Sequence, residues 1–202
     1  MKKKGVLGGT FDPIHNGHLH IAYEALYRLQ LDEIIFMPSG NPPHKKEKDI
    51  TNAETRYLLV KTAIEDEEKF NVSDYEIESK GYSYTYKTVE HLYQVEADTE
   101  WYFITGADCL MELDAWKNVE GIFEKCNFVV FTRAGYSKEQ LLTQKRLVEE
   151  KYDKEIIFLD MPLIDISSTF IREKISNCKE VSYLIPWNLH NKIKELRLYK
   201  KS

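Results

Sequence analysis

The residues best suited to chemistry form one run, Gly8-Gly9-Thr10-Phe11-Asp12-Pro13-Ile14-His15-Asn16-Gly17-His18, between a short apolar strand and an amphipathic helix. Ligands of open α/β sheets bind at such places, beyond the carboxyl ends of strands. Gly8 and Gly9 let backbone approach a ligand closely, and Asn16, as a helix N-cap, leaves N–H groups for a phosphate. His15 and His18 lie three residues apart at a helix entrance, so both can face one ligand. Neither G-x-G-x-x-G nor the Walker A pattern with its lysine is present. This is a phosphate loop that relies on histidine. The plainer reading, tight strand-to-helix packing with solvated imidazoles, suits a lone histidine better than two that frame Gly17 after Gly-Gly-Thr. A metal needs three or four ligands, and His20 and His44 have no evident geometry with the pair.

A second run, Ile166-Ser167-Ser168-Thr169-Phe170-Ile171-Arg172, begins a helix just after a strand. Hydroxyls and open N–H groups at a helix N-terminus bind phosphate, and Arg172 adds a charged fork one turn on. The same residues also make an ordinary capping sequence. Asp108, reached from a central strand through Gly106, can bond ribose hydroxyls or a Mg²⁺-bound water, or cap the helix that follows. Arg133, at the carboxyl end of a core strand, is either a phosphate ligand or a structural arginine. The basic stretch Pro42-Pro43-His44-Lys45-Lys46 follows another strand and, by composition, can be a solvated turn.

These residues need a scaffold of alternating strands and helices, and the chain supplies one. Short apolar runs at Val6-Leu7, Ile34 to Met37, Val72 to Ile77, Trp101 to Ile104, Phe128 to Phe131 and Ile156 to Leu159 read as strands. Between them lie helical stretches: 17–29, one opened by a Thr51/Glu54 capping box with Tyr57, Leu58, Ala63 and Ile64 inward, and one from Tyr82–Tyr86 to about Val95. A charged helix near 137–152 should lie outside, and helices at 168–177 and 186–198 close the chain. The pattern predicts an α/β fold, a Rossmann-like doubly wound parallel sheet in a single domain over 1–202, with a helical C-terminal part from about 167.

Composition narrows the partners. The chain has 202 residues, and 28 Lys+Arg against 33 Asp+Glu give a net charge of −5. That leaves no global cationic field for nucleic acid or an anionic membrane, so an anionic ligand must meet a local basic cluster. Cys109, Cys126 and Cys178 are odd in number and widely spaced, unlike a disulfide framework or a zinc ribbon. Reduced thiols suit a cytoplasmic protein. No signal-type apolar segment follows Met1-Lys2-Lys3-Lys4, and no run of about 18 apolar residues appears. A homo-oligomer is compatible with this composition.

The first run resembles the T/H-x-G-H signature of the nucleotidylyltransferase superfamily, in the form of its bacterial nicotinate mononucleotide adenylyltransferases. Further similarity extends over nearly the whole chain: Pro38-Ser39-Gly40-Asn41-Pro42-Pro43-His44-Lys45, Arg56, Ser83-Tyr84-Thr85, Gly106-Ala107-Asp108, Trp116, Arg133 with Gly135, and the run 166–172. The resemblance implies adenylyl transfer from ATP to nicotinate mononucleotide. In it His15, His18 and Arg172 are catalytic. ATP is held by Gly8, Gly9, Thr10, Phe11, Gly106, Asp108, Ile166, Ser167, Ser168 and Thr169 besides those three. The mononucleotide is held by Asn41, His44, Lys45, Ser83, Tyr84, Thr85, Trp116 and Arg133, with the Trp116 indole offering a flat face to the pyridine ring. Mg²⁺ accompanies the ATP phosphates without direct protein ligands. Phosphopantetheine adenylyltransferase shares the first motif but implies a shorter chain without the Trp116 region; a non-catalytic nucleotide sensor would have no need of the intact histidines and Arg172. Leu59, Lys117, Ala134 and His190 depart from the family pattern, and Lys117 and Ala134 bear on the shape of the pyridine and phosphate pockets.

Overall fold

The computed structural model describes residues 1–41, 50–131, 136–162 and 164–200. Six parallel strands form one sheet: β1 (Lys2–Gly9), β2 (Glu33–Pro38), β3 (Phe70–Val72), β4 (Thr99–Gly106), β5 (Asn127–Phe131) and β6 (Ile156–Leu159), ordered β3-β2-β1-β4-β5-β6. The order reverses between β1 and β4, where Lys2 to Leu7 pair with Thr99 to Ile104. A ligand crevice opens at such a switch point because connections leave the two strands toward opposite faces.

Alternation along each strand makes two cores. Leu7, Phe36, Ile104 and Val129 pack beneath α1 (Asn16–Arg28), α2 (Ala53–Ala63), α8 (Ser168–Ser176) and α9 (Trp187–Glu195). Val6, Met37, Phe103, Phe128 and Val130 face α4 (Thr85–Val95), α5 (Ala107–Met111), α6 (Val119–Lys125) and α7 (Lys138–Tyr152). The charged α7 buries only Leu141 and Val148 along its length and keeps a wet outer face. Burial, rather than propensity, decides the central strands: Trp101 to Thr105 are all buried, as a strand covered on both sides requires.

Three local expectations need correction. The strand expected at 72–77 stops at Val72, and a short helix α3 spans Tyr75–Glu78. The Ser73 hydroxyl accepts Tyr75 N–H at 3.2 Å and Ile77 N–H reaches Asp74 O at 2.8 Å, so local polar bonds turn the chain into a helix. The cap of α2 is Asn52, whose Oδ1 accepts Thr55 N–H at 2.8 Å, rather than Thr51. Its inward face is Arg56, Leu59, Val60 and Ala63, while Leu58 is exposed. The cap of α1 is His15, not Asn16, and Asn16 is instead bound to the far end of the chain: its N–H donates to Leu184 O at 2.9 Å and its Nδ2 to Tyr183 O at 3.2 Å.

Candidate active site

Local sequence shapes the first motif through its small and bulky residues. Phe11 sits in the left-handed region at φ 49° and is buried, and its ring lies against Gly9, where a Cβ would come within 2.8 Å of it. Gly9 therefore makes room for Phe11. Gly8 is exposed, and a Cβ there would meet nothing closer than 3.9 Å. Phe11 in turn presents its ring to His18, with centroids 5.0 Å apart at 78°.

His15 and His18 cap α1 reciprocally, His15 N–H donating to His18 Nδ1 at 3.3 Å, and their rings stack at 3.7 Å. With Nδ1 accepting, a neutral His18 carries its proton on Nε2. Gly17 permits the stack: a Cβ there would lie 3.0 Å from His15 Nδ1. No acid stands in the first turn of α1, so its N-terminal dipole is left to favour an anion.

The second motif arrives from the other end of the chain. Ser167 caps α8 by accepting Phe170 N–H at 3.2 Å. The Ser168 hydroxyl donates to Pro13 O at 2.8 Å, and Arg172 donates to Asp12 O at 2.7 Å and to Thr169 Oγ1 at 3.3 Å. These bonds dock the α8 N-terminus on the first motif. Between them lies a cavity of about 280 Å³ lined by Thr10, Phe11, His15, His18, Ile166, Ser167, Ser168, Thr169 and Arg172. Asp12, Gly17, His20, Ile21, Phe131, Met161 and Ile164 complete the wall. Imidazoles, hydroxyls, helix-end N–H groups and a guanidinium make this a donor-rich pocket suited to an anion.

Gly8, Gly9, Gly106 and Asp108 do not line that cavity. Gly106 caps α5 and abuts Phe131, a wall residue, at 3.3 Å from where its Cβ would be; Asp108 lies in the first turn of α5 and does not serve as its cap. Among the described residues no group of three or more His, Cys, Asp or Glu is placed to hold a metal ion.

Of the remaining expected ligands, His44, Lys45 and Arg133 lie outside the described residues. Asn41 and Ser83 are brought together: Ser83 N–H donates to Asn41 O at 3.1 Å, and Ser83 Oγ accepts Gly40 and Asn41 N–H at 3.1 and 3.3 Å. Tyr84 and Thr85 form the entrance of α4. Trp116 is half-buried, edge-on to Phe103 and Phe128 at 6.1 Å each, which leaves part of the indole in the open. Lys117 reaches across from beside it to Tyr84, donating to the hydroxyl at 3.0 Å with its ammonium 4.2 Å from the ring centre.

Two residues without an assigned role in the sequence reading join the groups. Arg56 is 1% exposed and donates to Thr10 O, Thr51 O, Ser39 O and Gly40 O at 2.7 to 3.3 Å, clamping the ends of β1 and β2 to the start of α2. Burial lowers its pKa, opposed by the charge of Asp12. Glu76 accepts the Thr88 hydroxyl at 2.6 Å and that of Ser83; burial raises its carboxyl pKa despite those bonds. A Cβ at Gly40 would run into the Glu76 carbonyl oxygen, so only glycine lets the β2 loop rest on α3. A lone arginine on an apolar helix face is a readable signal for the first; nothing in Tyr75-Glu76-Ile77 signals the second.

With this geometry in hand, known proteins place the chain. The cytidylyltransferase-like family matches residues 6–174. A probable nicotinate-nucleotide adenylyltransferase of Clostridium novyi is 62% identical over 99% of this chain and 100% of that one, and one of Clostridium tetani is 57% identical over the same shares. Plasmodium falciparum nicotinic acid mononucleotide adenylyltransferase complexed with NaAD superposes with a TM-score of 0.78 over 98% of each chain, a likeness of fold at 18% identity. The chain belongs to the cytidylyltransferase-like family, among its nicotinate-nucleotide adenylyltransferases.

Proposed function

We propose that this protein joins ATP and nicotinate mononucleotide to give deamido-NAD and pyrophosphate, a step of NAD biosynthesis. The observation that carries this reading is the convergence of the His15–His18 stack and the α8 N-terminus on one donor-rich cavity. In the reaction a 5′-phosphate oxygen of the mononucleotide forms a bond to the α-phosphorus of ATP. The bond from that phosphorus to the β-bridging oxygen breaks, and pyrophosphate leaves with the electron pair.

A phosphate is already nucleophilic at neutral pH, so the protein aligns two polyanions and offsets developing charge. His18, donating from Nε2, and Arg172, whose fork is oriented by Asp12 O and Thr169, stabilise the charge on the bridging oxygen. His15 holds phosphate beside it, as do Ser167, Ser168 and Thr169. Lys45 and His44 serve the mononucleotide phosphate, with Arg133. Mg²⁺ brought in with ATP would be held by the phosphates, with no direct protein ligand, and would supply further charge neutralisation. Trp116 and the N–H groups at the start of α4 receive the pyridine ring and its carboxylate, with Asn41 and Ser83 at the rim. Gly8, Gly9, Gly106 and Asp108 serve the ATP from outside the donor-rich cavity. We read residues 1–202 as one catalytic domain working in the cytoplasm.

Pyrophosphate release by the purified protein with ATP and Mg²⁺ tests this, comparing nicotinate mononucleotide, its nicotinamide analogue and phosphopantetheine. A strong preference for the nicotinate compound is expected. Turnover of phosphopantetheine alone would keep the phosphate sites and remove the pyridine site.

A further inference from the structure

A second cavity lies away from the reaction centre. It measures about 570 Å³, within the range of small-molecule sites, and is bounded by the C-terminal end of α8, the 177–186 turn and α9. It shares no residue with the donor-rich cavity. Ile175, Val181, Ile193 and Leu198 give it apolar walls, while Lys179, Lys194 and Lys200, all exposed, stand around it.

One buried polar group in this wall is incompletely satisfied. His190 is 4% exposed; its Nε2 lies 3.2 Å from Glu180 Oε1, and its Nδ1 is buried with no hydrogen-bond partner. With Nε2 directed at Glu180, the neutral ring keeps its lone pair on Nδ1, so the anion-binding groups of this wall are its lysines. Glu180, the cavity's one acid, is already engaged: it accepts Val181 and Ser182 N–H at 2.9 and 2.8 Å besides facing His190. The surrounding charge is therefore a surplus of lysine over an apolar interior.

We propose that this cavity is a binding site for a small amphipathic anion, an alkyl carboxylate whose chain lies among Ile175, Val181, Ile193 and Leu198. Its head group meets the three lysines. The chemistry requires both halves: the chain gains from leaving water, and the carboxylate offsets the lysine charges.

Octanoate titrated into the full chain, followed by calorimetry and by ¹H–¹⁵N and histidine ring resonances, tests this. Saturable one-to-one binding is expected, with shifts at Val181, His190 and Ile193, and with acetate and octanol both markedly weaker. The K179Q/K194Q/K200Q variant changes only exposed side chains and should weaken octanoate roughly tenfold. Absence of saturation, shifts confined to other regions, octanol binding as tightly as octanoate, or an unaffected triple variant would each overturn the proposal. None of these readouts depends on adenylyl transfer.

Discussion

A single backbone bond sets the protonation pattern of His18. Because Nδ1 accepts His15 N–H, the ring donates from Nε2, and in the proposed reaction its worth lies in the transition state. His18→Ala should lower kcat by about 10²–10³, the cost of removing one oriented donor, with a much smaller change in ATP affinity. Equal losses in both, in steady-state kinetics and ATP titration, would make it a simple ligand. Glu76 works at one remove, through Ser83 and the loop at Gly40–Asn41. Its pKa is raised by burial, so the folded state holds its proton more tightly than the unfolded chain and stability declines as pH rises above the ordinary carboxylate value. Glu76→Gln should therefore raise the melting temperature at neutral pH, with the gain vanishing below about pH 4, while KM for the mononucleotide rises and KM for ATP stays put. The histidines and Ser167–Arg172 were legible in the sequence because residue type and spacing carry their chemistry. Glu76 was not, since its role comes from Thr88, Ser83 and Gly40, which only the fold brings to it.

The elements hold these residues through their ends rather than their middles. Gly17 lies where α1 begins, and Gly17→Ala pushes a methyl toward His15 Nδ1. Alanine favours the helix by about 1 kcal/mol over glycine, so the variant should keep its circular dichroism and melting point yet lose most of its kcat. Arg56 is the reverse case. Its four carbonyl contacts fasten the ends of β1 and β2 to the start of α2, and a lysine at that place cannot span the fork. Arg56→Lys should cost about 3 kcal/mol in denaturant unfolding, since more than one charge-assisted bond is lost. Strand and helix order was readable from apolar periodicity, because burial on the sheet enforces it. The ends were harder: Asn52 displaced Thr51, His15 displaced Asn16, and Ser73–Asp74 turned a strand into a helix. In each case a side chain bonding to nearby backbone decided where the element begins or ends.

At the scale of the molecule, the first motif is closed by the last described residues. The Tyr199 hydroxyl donates to Asp12 Oδ1 at 2.7 Å, while Asp12 Oδ2 accepts Thr51 N–H at 3.2 Å. Burial and Asp12 both raise the Tyr199 phenol above its ordinary value of 10, and Tyr23 and Tyr102 are raised by burial and by Glu67 and Glu100. The unfolded chain then releases these protons first, so stability should fall as pH climbs past about 10, a slope that thermal melts would show and Tyr199→Phe would flatten. The same variant at neutral pH should cost about 1 kcal/mol, with Asp12 left short of a donor. Tyr183 and Leu184 likewise secure Asn16 within the histidine motif. A ribosome delivers residues 8–18 well before residues 183–199, so the first motif is made before the segments that fasten it and takes its described shape only when they arrive.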